Sequence, residues 1–544
     1  ECSFRFADEY VVRNKDAADV GPDFVTNPIN AYLLIKRLTT EWKKVEEIMR
    51  TNKADGFIKN ISEHRVRSQV KFPKEEDLSG AAVAILRLQD VYRLDTTDLS
   101  NGVIMGDKVA HKLTAHDAFE VGRAAYNERD YYHTLTWMQV ALNRLENEDP
   151  RSIAEEEILE YLAYSLYQQG NVRRALALTK RLAAIAPNHP RARGNVKWYE
   201  DMLNGKDMEG DLPPIVNKRV ENDGIVERDA YEALCRGEAP PVPPEEEKKL
   251  YCYLKMDKPF LRLAPIKVEI LRFEPLAVLF KEVMSEYEAE IIKTAATPKL
   301  ERATVKAEDG SLITVNYRIS KRYRLKRATV QNAVTGELET ASYRISKRRV
   351  GDMTNLNQAT SEDLQVANYG LGGHYDPHFD FARIANYGLG GHYAPHFDMS
   401  TVSDVIVHAL RMCSTCWGVS GLVLRITKPQ TRGEKEPYRA NGNRIATVLF
   451  YKEEKNAFKT LNTGNRLATV LFYLDALFWY NLMRSGEGDM RTRHAACPVL
   501  LGVKWVSNKW IHERGQEFTR PCGLDEDVQE YFVGDLTPRS RKAK

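Results

Sequence analysis

The sequence lacks any strong excess of one charge, for 79 Lys and Arg stand against 76 Asp and Glu and leave a net charge of +3. A partner bound mainly through phosphate neutralisation, such as nucleic acid, is not expected from that balance. No stretch approaches the ~20 consecutive apolar residues of a membrane-spanning helix, and the first residues, Glu1 to Phe6, do not read as a signal peptide. Cysteine is sparse at seven, a count that leaves the redox compartment ambiguous. What is present is ordinary globular composition, 43% apolar and 28% charged, spread over 544 residues. That is too long for one core and predicts about three domains.

The first hundred residues read as helical. Asn27-Pro28 is a helix start, a capping side chain followed by proline at the first helical position. Behind it Ala31, Ile35, Leu38, Trp42, Val45 and Met49 recur at spacings of four and three, a heptad seam suited either to a helix–helix partner or to the chain's own core. A second apolar helix is predicted over Ala81 to Leu94. From His116 to Asn204 the pattern becomes paired helices with a repeat. Gly122 and Ala141, then Ala163 and Leu182, stand 19 apart, with Ala175 between the latter two and Pro187 closing the pair. Small residues at such places let helices approach closely, as in tetratricopeptide repeats. Such repeats stack into a concave face able to hold an extended peptide. Tyr161, Tyr164 and Tyr167 step by three along one helix as an aromatic stripe, for which core packing and a ligand groove both stay open.

Residues 205–248 read as a linker, broken by Pro213-Pro214, Pro240-Pro241 and Pro243-Pro244. Beyond it, β-branched and aromatic runs separated by Gly and Asn predict a mostly β domain over 260–544. This half also duplicates itself. ANYGLGGHYDPHFD (367–380) returns as ANYGLGGHYAPHFD (385–398), NRIATVLFY (443–451) as NRLATVLFY (465–473), and a looser pair joins 302–321 to 327–347. Three periods do not make a solenoid. They look like alternative versions of one segment placed in tandem.

His378 and Asp380 stand two apart, so an extended strand puts both on one face. With a remote histidine they would form the two-His-one-carboxylate set of non-haem Fe(II) oxygenases, which leaves positions for co-substrate and oxygen. His494 is the candidate remote ligand, and Lys504, ten residues on, offers a cation for a carboxylate. The alternative is a hydrogen-bonded His–Asp pair on a surface strand. Cys413 and Cys416 form a lone CxxC, weak evidence for zinc. Cys235 and Cys252, and Cys497 and Cys522, are spaced to close loops, and Asn60-Ile61-Ser62 is a glycosylation sequon.

The strings QVANYGLGGHYDPHFDFAR (365–383), GNRLATVLFY (464–473) and the run 477–522, with YYHTLTWMQVAL (131–142), YLAYSLYQQG (161–170) and NAYLLIKRLTTEW (30–42), resemble the collagen prolyl 4-hydroxylase α subunit. The resemblance implies an all-α N-terminal half followed by a double-stranded β-helix (jelly-roll) catalytic domain. It divides the chain into a helical dimerisation region (1–112), a TPR-like peptide-substrate-binding domain (113–204), a linker (205–259) and an Fe(II)/2-oxoglutarate dioxygenase domain (260–544). His378, Asp380 and His494 match the family's iron ligands, with His396 and Asp398 as the alternative copy, and Lys504 matches the lysine that binds 2-oxoglutarate. Tyr126, Tyr161, Tyr164, Tyr167, Arg191 and Asn195, with Trp198 at a position usually Tyr, match the peptide-binding residues. Cys235–Cys252 and Cys497–Cys522 match intrachain disulfides. The implied reaction is hydroxylation of peptidyl proline at C4 in collagen-like X-Pro-Gly sequences. It uses Fe(II), O2 and 2-oxoglutarate with L-ascorbate, in an α2β2 tetramer with protein disulfide isomerase in the lumen of the endoplasmic reticulum. The sequence departs from the family by the foreign stretch 399–437 and by about two strands missing between its LATVLFY and LFWYNL segments. A jelly-roll short of a hairpin exposes unpaired edges. The competing reading is therefore a catalytically inactive chain that dimerises and binds proline-rich peptides.

Overall fold

In a computed structural model, the described residues are 2–51, 55–67, 73–108, 110–203, 211–221, 225, 227–238, 243–306, 312–314, 319–325, 329–331, 338–340, 344–378, 380, 444–453, 474–521, 523 and 528. They form two compact units, Glu1–Arg236 with Pro498–Gly502, and Gly237–Cys497 with Val503–Lys544.

The first unit is helical. Helix α1 (Pro28–Lys36) starts where the sequence places it, because the Asn27 side chain accepts from the N–H groups of Ile29 and Asn30. It runs through a π-helical stretch, Arg37–Glu41, into Trp42–Thr51. Ile29, Tyr32, Leu33 and Lys36 are the buried face, while the heptad residues Ala31, Ile35, Leu38, Trp42 and Val45 are only half-buried. The extra residue of a π turn rotates the following face, so one strict heptad line does not describe the packing. Helix α2 (Glu75–Tyr92) is the second apolar helix, longer at its start than expected and packed through Ala81, Ile85 and Leu88.

Five helices follow: α3 (Ala115–Asn127), α4 (Tyr131–Leu145), α5 (Glu155–Gln168), α6 (Val172–Ile185) and α7 (Ala192–Leu203). Of the residues standing 19 apart, Gly122 lies where α3 approaches α4. A Cβ on Gly122 would sit 3.0 Å from Met138 Cε and 3.2 Å from Trp137 Cβ, so any larger residue there would have to push the two α4 side chains back by a few tenths of an ångström. A reciprocal capping box between Thr114 and Asp117 opens α3. Asp117 also takes the buried ammonium of Lys36. Burial would push the Asp117 carboxyl up, and Lys36 and Thr114 outweigh it and hold it below the usual range. Removing one partner would leave a buried charge, a loss of about 3–5 kcal/mol.

The segment expected as a linker is partly structured, with helices Arg228–Cys235 and Pro244–Glu247 and its last strand in the second unit. The expected Cys235–Cys252 pair is corrected. Cys235 is disulfide-bonded, but Cys252 is a free, exposed thiol. Cys235 ends a helix of the first unit, and Cys252 opens a strand of the second. Residue spacing along the chain does not by itself fix a disulfide partner, which needs the two Cα atoms ~6 Å apart.

The second unit is sheet-rich. Besides two short hairpins (Val305–Lys306 with Leu312–Ile313, and Thr329–Gln331 with Leu338–Thr340), its strands are β1 (Cys252–Lys255), β2 (Ile266–Phe273), β3 (Leu276–Lys281), β4 (Glu301–Arg302), β5 (Lys321–Leu325), β6 (Leu364–Tyr369), β7 (Tyr375–His378), β8 (Arg444–Glu453), β9 (Ala476–Tyr480), β10 (His494–Ala496) and β11 (Lys504–His512). Nine of them form one sheet in the order β1-β2-β3-β9-β8-β11-β6-β5-β4, and β7 pairs with β10 in a separate sheet. Adjacent strands are antiparallel. The edge strands β1 and β4 have four and two residues, which leaves little ladder open for unwanted pairing. Val278, Phe280, Val366, Ala446, Phe478 and Ile511 build the core between sheet and helix Glu286–Ala296. The strand between β9 and β11 is the first NRIATVLFY copy. The second copy, the second His-x-Asp copy with His396 and Asp398, and Cys413 and Cys416 lie outside the described residues.

Candidate metal centre and ligand-holding row

His378 ends β7 and His494 opens β10, and the ladder sets them directly opposite each other. Asp380, buried, follows two residues after His378. One ligand atom from each of the three lies within 4.8 Å of the others. His378 Nε2 is 4.0 Å from one Asp380 oxygen, and His494 Nε2 is 3.6 Å from the other. Both separations are too long for hydrogen bonds, so the pair is not the self-satisfied His–Asp contact that the sequence left open. Two donors each ~2.1 Å from one ion stand ~3.0 Å apart at a right angle and ~4.2 Å apart when opposite.

The tautomers follow from the backbone. His378 Nδ1 lies 2.7 Å from the Asp376 carbonyl and His494 Nδ1 lies 2.9 Å from the Thr492 carbonyl. A carbonyl only accepts, so each Nδ1 carries a proton, and each Nε2 is the ring atom left to face Asp380. The rings are also fixed from the side, with Tyr375 stacked on His378 at 3.5 Å and Trp479 edge-on to His494 at 4.8 Å between centroids. Burial pushes the Asp380 carboxyl up, and His494, His378 and Arg444 outweigh it and hold it below the usual carboxylate range.

Arg444, Glu362, Trp510 and His512 were not picked out in the sequence. Arg444 Nε donates to Glu362 Oε1 at 2.7 Å, its guanidinium lies 4.0 Å over the Trp510 ring, and His512 Nε2 stands 3.4 Å from the same carboxylate oxygen. Burial pushes Glu362 up, but Arg444 and His512 bring its carboxyl down to about 2. A signal was available, since Lys504, Trp510 and His512 differ by even numbers and therefore share one face of β11. Lys504 is half-buried at the start of that strand, opposite Tyr369. Its ammonium lies 5.4 Å over the Tyr369 ring and 3.4 Å from the Cys497 carbonyl. Cys497 is disulfide-bonded, and Cys522 lies outside the described residues.

In the helical unit the tyrosines of α5 are half-buried and form part of a longer row. Tyr126 meets Tyr131, Tyr161 and Tyr164 edge-on at 5.9, 4.8 and 5.7 Å. Tyr164 meets Tyr167 at 6.0 Å, and Tyr167 meets Trp198 at 4.7 Å. Tyr131 and the buried Tyr199 are additions to the expected set; burial, then Tyr167, pushes the Tyr199 phenol up to about 12. Arg191 is exposed and pairs with Glu160, the neighbour of Tyr161. Asn195 is half-buried in the first turn of α7. Asn60 is exposed on helix Asp55–Arg67.

Fold and site together define a protein with a helical-repeat unit bearing an aromatic row and a sheet unit bearing a His–Asp–His cluster. Residues 115–205 match the family described as the prolyl 4-hydroxylase peptide-substrate-binding domain, and residues 4–106 match the prolyl 4-hydroxylase alpha-subunit N-terminal region. The chain is 62% identical over 538 residues to prolyl 4-hydroxylase subunit alpha-2 of Caenorhabditis elegans, covering 98% of this chain and 89% of that protein. It is 39% identical over 516 residues to the human subunit alpha-1, covering 92% and 85%. A solved viral collagen prolyl hydroxylase from Paramecium Bursaria Chlorella virus-1, in complex with 2OG, is 16% identical, with a TM-score of 0.24 over 43% of this chain and 95% of that one. The chain belongs to the prolyl 4-hydroxylase alpha-subunit family.

Proposed function

We propose that this chain is the catalytic subunit of a procollagen-type prolyl 4-hydroxylase, a 2-oxoglutarate-dependent dioxygenase acting on peptidyl proline in X-Pro-Gly sequences. The observation that carries the reading is the convergence of His378, Asp380 and His494, with both imidazoles turned Nε2-inward by backbone carbonyls. The donor set fits Fe(II), and the first His-x-Asp copy supplies it. Bound there, the ion supplies the oxygen-activating chemistry by which O2 and 2-oxoglutarate give succinate, CO2 and a hydroxyl group on proline C4. Two neutral imidazoles and one carboxylate would hold it, leaving three positions for co-substrate and oxygen.

The surrounding residues bind, orient and exclude water. Tyr375 and Trp479 keep the two rings from turning and cover them. Lys504 pairs with the distal carboxylate of 2-oxoglutarate, exchanging its long contact to the Cys497 carbonyl for a charged partner. Proline rings pack on the row Tyr126, Tyr161, Tyr164, Tyr167 and Trp198, with Arg191 and Asn195 donating to peptide carbonyls. The nine-stranded sheet and the β7–β10 pair are read as the large and small faces of a jelly-roll. The wider assignment follows the family: L-ascorbate, protein disulfide isomerase as β subunit of an α2β2 tetramer joined through the N-terminal helices, a Cys497–Cys522 disulfide, a glycan on Asn60, and the lumen of the endoplasmic reticulum.

The test is to incubate the chain, co-expressed with protein disulfide isomerase, with a (Pro-Pro-Gly)-type peptide, Fe(II), 2-oxoglutarate and ascorbate. Peptide-dependent succinate and 4-hydroxyproline, read by mass spectrometry, are expected in equal amounts. Peptide binding with no hydroxyproline would overturn the catalytic reading in favour of a peptide-holding chain.

A further inference from the structure

On β11 the residues Trp505, Lys509 and Ile511 alternate with the face that carries Lys504, Trp510 and His512. Ile511 belongs to the apolar core of the sheet-rich unit and Trp505 packs against it. Lys509 shares that side and is wholly buried. Burying a charge is costly, and exchanging one for an apolar side chain of like volume is commonly neutral or stabilising. Among the described residues the Lys509 ammonium has one hydrogen-bond acceptor, the Glu362 carbonyl. Burial, then the charge of Lys347, pulls that ammonium down to about 7, with Asp363 and Glu362 opposing.

The segment that ends at Glu362 has anchors of its own. The Asn357 N–H donates to Gln516 Oε1 at 2.9 Å, and Gln516 Nε2 donates to the Asn357 carbonyl at 2.8 Å. Thr360 donates to the Arg514 carbonyl at 2.6 Å, and Lys347 donates to the Ser361 hydroxyl at 3.0 Å. The Glu362 N–H donates to the Trp510 carbonyl at 2.9 Å. Holding the segment in place therefore does not call for a buried ammonium. What Lys509 adds is a grip on the carbonyl of Glu362, so that β11 fixes both main-chain groups of this one residue. Its carboxylate is the one that takes Arg444 Nε at 2.7 Å, with His512 Nε2 at 3.4 Å. Arg444 in turn lies over the Trp510 ring and is one of the charges that keep Asp380 ionised.

We propose that Lys509 is a positioning residue for the metal centre, fixing the main chain of Glu362 so that the Glu362 carboxylate keeps Arg444 where its charge reaches Asp380. This role rests on the His–Asp–His metal reading above. With an apolar side chain at 509 the Glu362 carbonyl loses its donor, and the Glu362–Arg444 pair is no longer set against the sheet. Residues that act on a metal through its ligands change affinity by ~10–100-fold.

The test uses the full chain co-expressed with protein disulfide isomerase, with Fe(II) affinity read by competition with a chelating dye. Lys509→Met should weaken Fe(II) at least tenfold while the melting temperature stays at or above that of the parent. Glu362→Gln should weaken it by a similar factor. Lys509→Met added to Glu362→Gln should cost less than a further twofold, since the lysine acts only through that carboxylate. Should Lys509→Met not fold, Lys509→Gln, one atom too short to reach the carbonyl, is read in its place with the same expectations. Parent-like Fe(II) affinity in the folded variant, losses that multiply in full in the double variant, or a loss that comes only with a fall in melting temperature would each overturn the role. A parent chain that takes up no Fe(II) would overturn the metal centre itself, and this role with it.

Discussion

The aromatic row and the His–Asp–His cluster are assembled from the sequence in opposite ways. The row draws on helices α3, α4, α5 and α7, and its spacings are those of single helices and of a repeat; Tyr161, Tyr164 and Tyr167 are neighbours on α5 before any tertiary contact exists. The cluster joins β7 to β10 across more than a hundred residues and depends on one register between two short strands. An aromatic row built on local structure tolerates insertions elsewhere. A three-ligand centre depends on every strand that sets its register. In this chain the tandem segments fall entirely in the sheet-rich unit, and the described sheet takes up the first copy of NRIATVLFY as its central strand β8.

The largest expected effect separates these two regions. His494→Ala should abolish hydroxylation while leaving peptide affinity within about twofold of the parent, measured by turnover and by direct peptide titration. Turnover persisting in that variant would take His494 out of the metal centre.

The next effect belongs to the helical unit alone and is read as stability against pH. His133 is buried between Asp130, 2.6 Å from Nδ1, and Asp90, 3.2 Å from Nε2, with Arg219 bridging Asp90 to Glu232. Burial pulls its pKa down, but the two carboxylates outweigh it and lift the imidazole to about 9. The unfolded value is ~6.5, so the contribution is fully present below pH 6.5 and is lost as pH rises through 9. It amounts to about 3 kcal/mol. Urea unfolding followed by helix circular dichroism at pH 6 and pH 9.5 should show that difference, and His133→Gln should flatten it. An unchanged profile in the variant would mean that the imidazole is not the group responsible.

Smaller effects sharpen the account of the row. Tyr164→Ala should weaken a (Pro-Pro-Gly)-type peptide about tenfold, since it removes ring contacts to Tyr126, Tyr131 and Tyr167 as well as the ligand face. Trp198→Tyr, which keeps an aromatic face beside Tyr167, should change affinity by less than about threefold. A larger loss would make the indole itself a specificity element.

Legibility in the sequence followed the same division. The helix start at Asn27, the close approach at Gly122 and the tyrosine stripe could be read because each rests on local chemistry within one or two turns. The face of α1 could not, because the π-helical turn at Arg37–Glu41 shifts the register that a heptad count assumes. His378, Asp380, His494 and Lys504 came from residue type and family resemblance. Glu362 and Arg444 were missed because two residues 82 positions apart have no spacing rule until the sheet forms, while the even spacing of His512 from Lys504 on one strand was passed over. Cys235 and Cys252 were paired on loop spacing and family resemblance, and Cys252 is a free thiol.

The most direct measurement compares His378→Ala with His396→Ala in peptide-dependent 2-oxoglutarate turnover, together with Fe(II) affinity by competition with a chelating dye. The account predicts that His378→Ala loses both turnover and tight iron binding while His396→Ala keeps both. The reverse result, with iron and activity following His396, would contradict the assignment of the first copy to the metal centre.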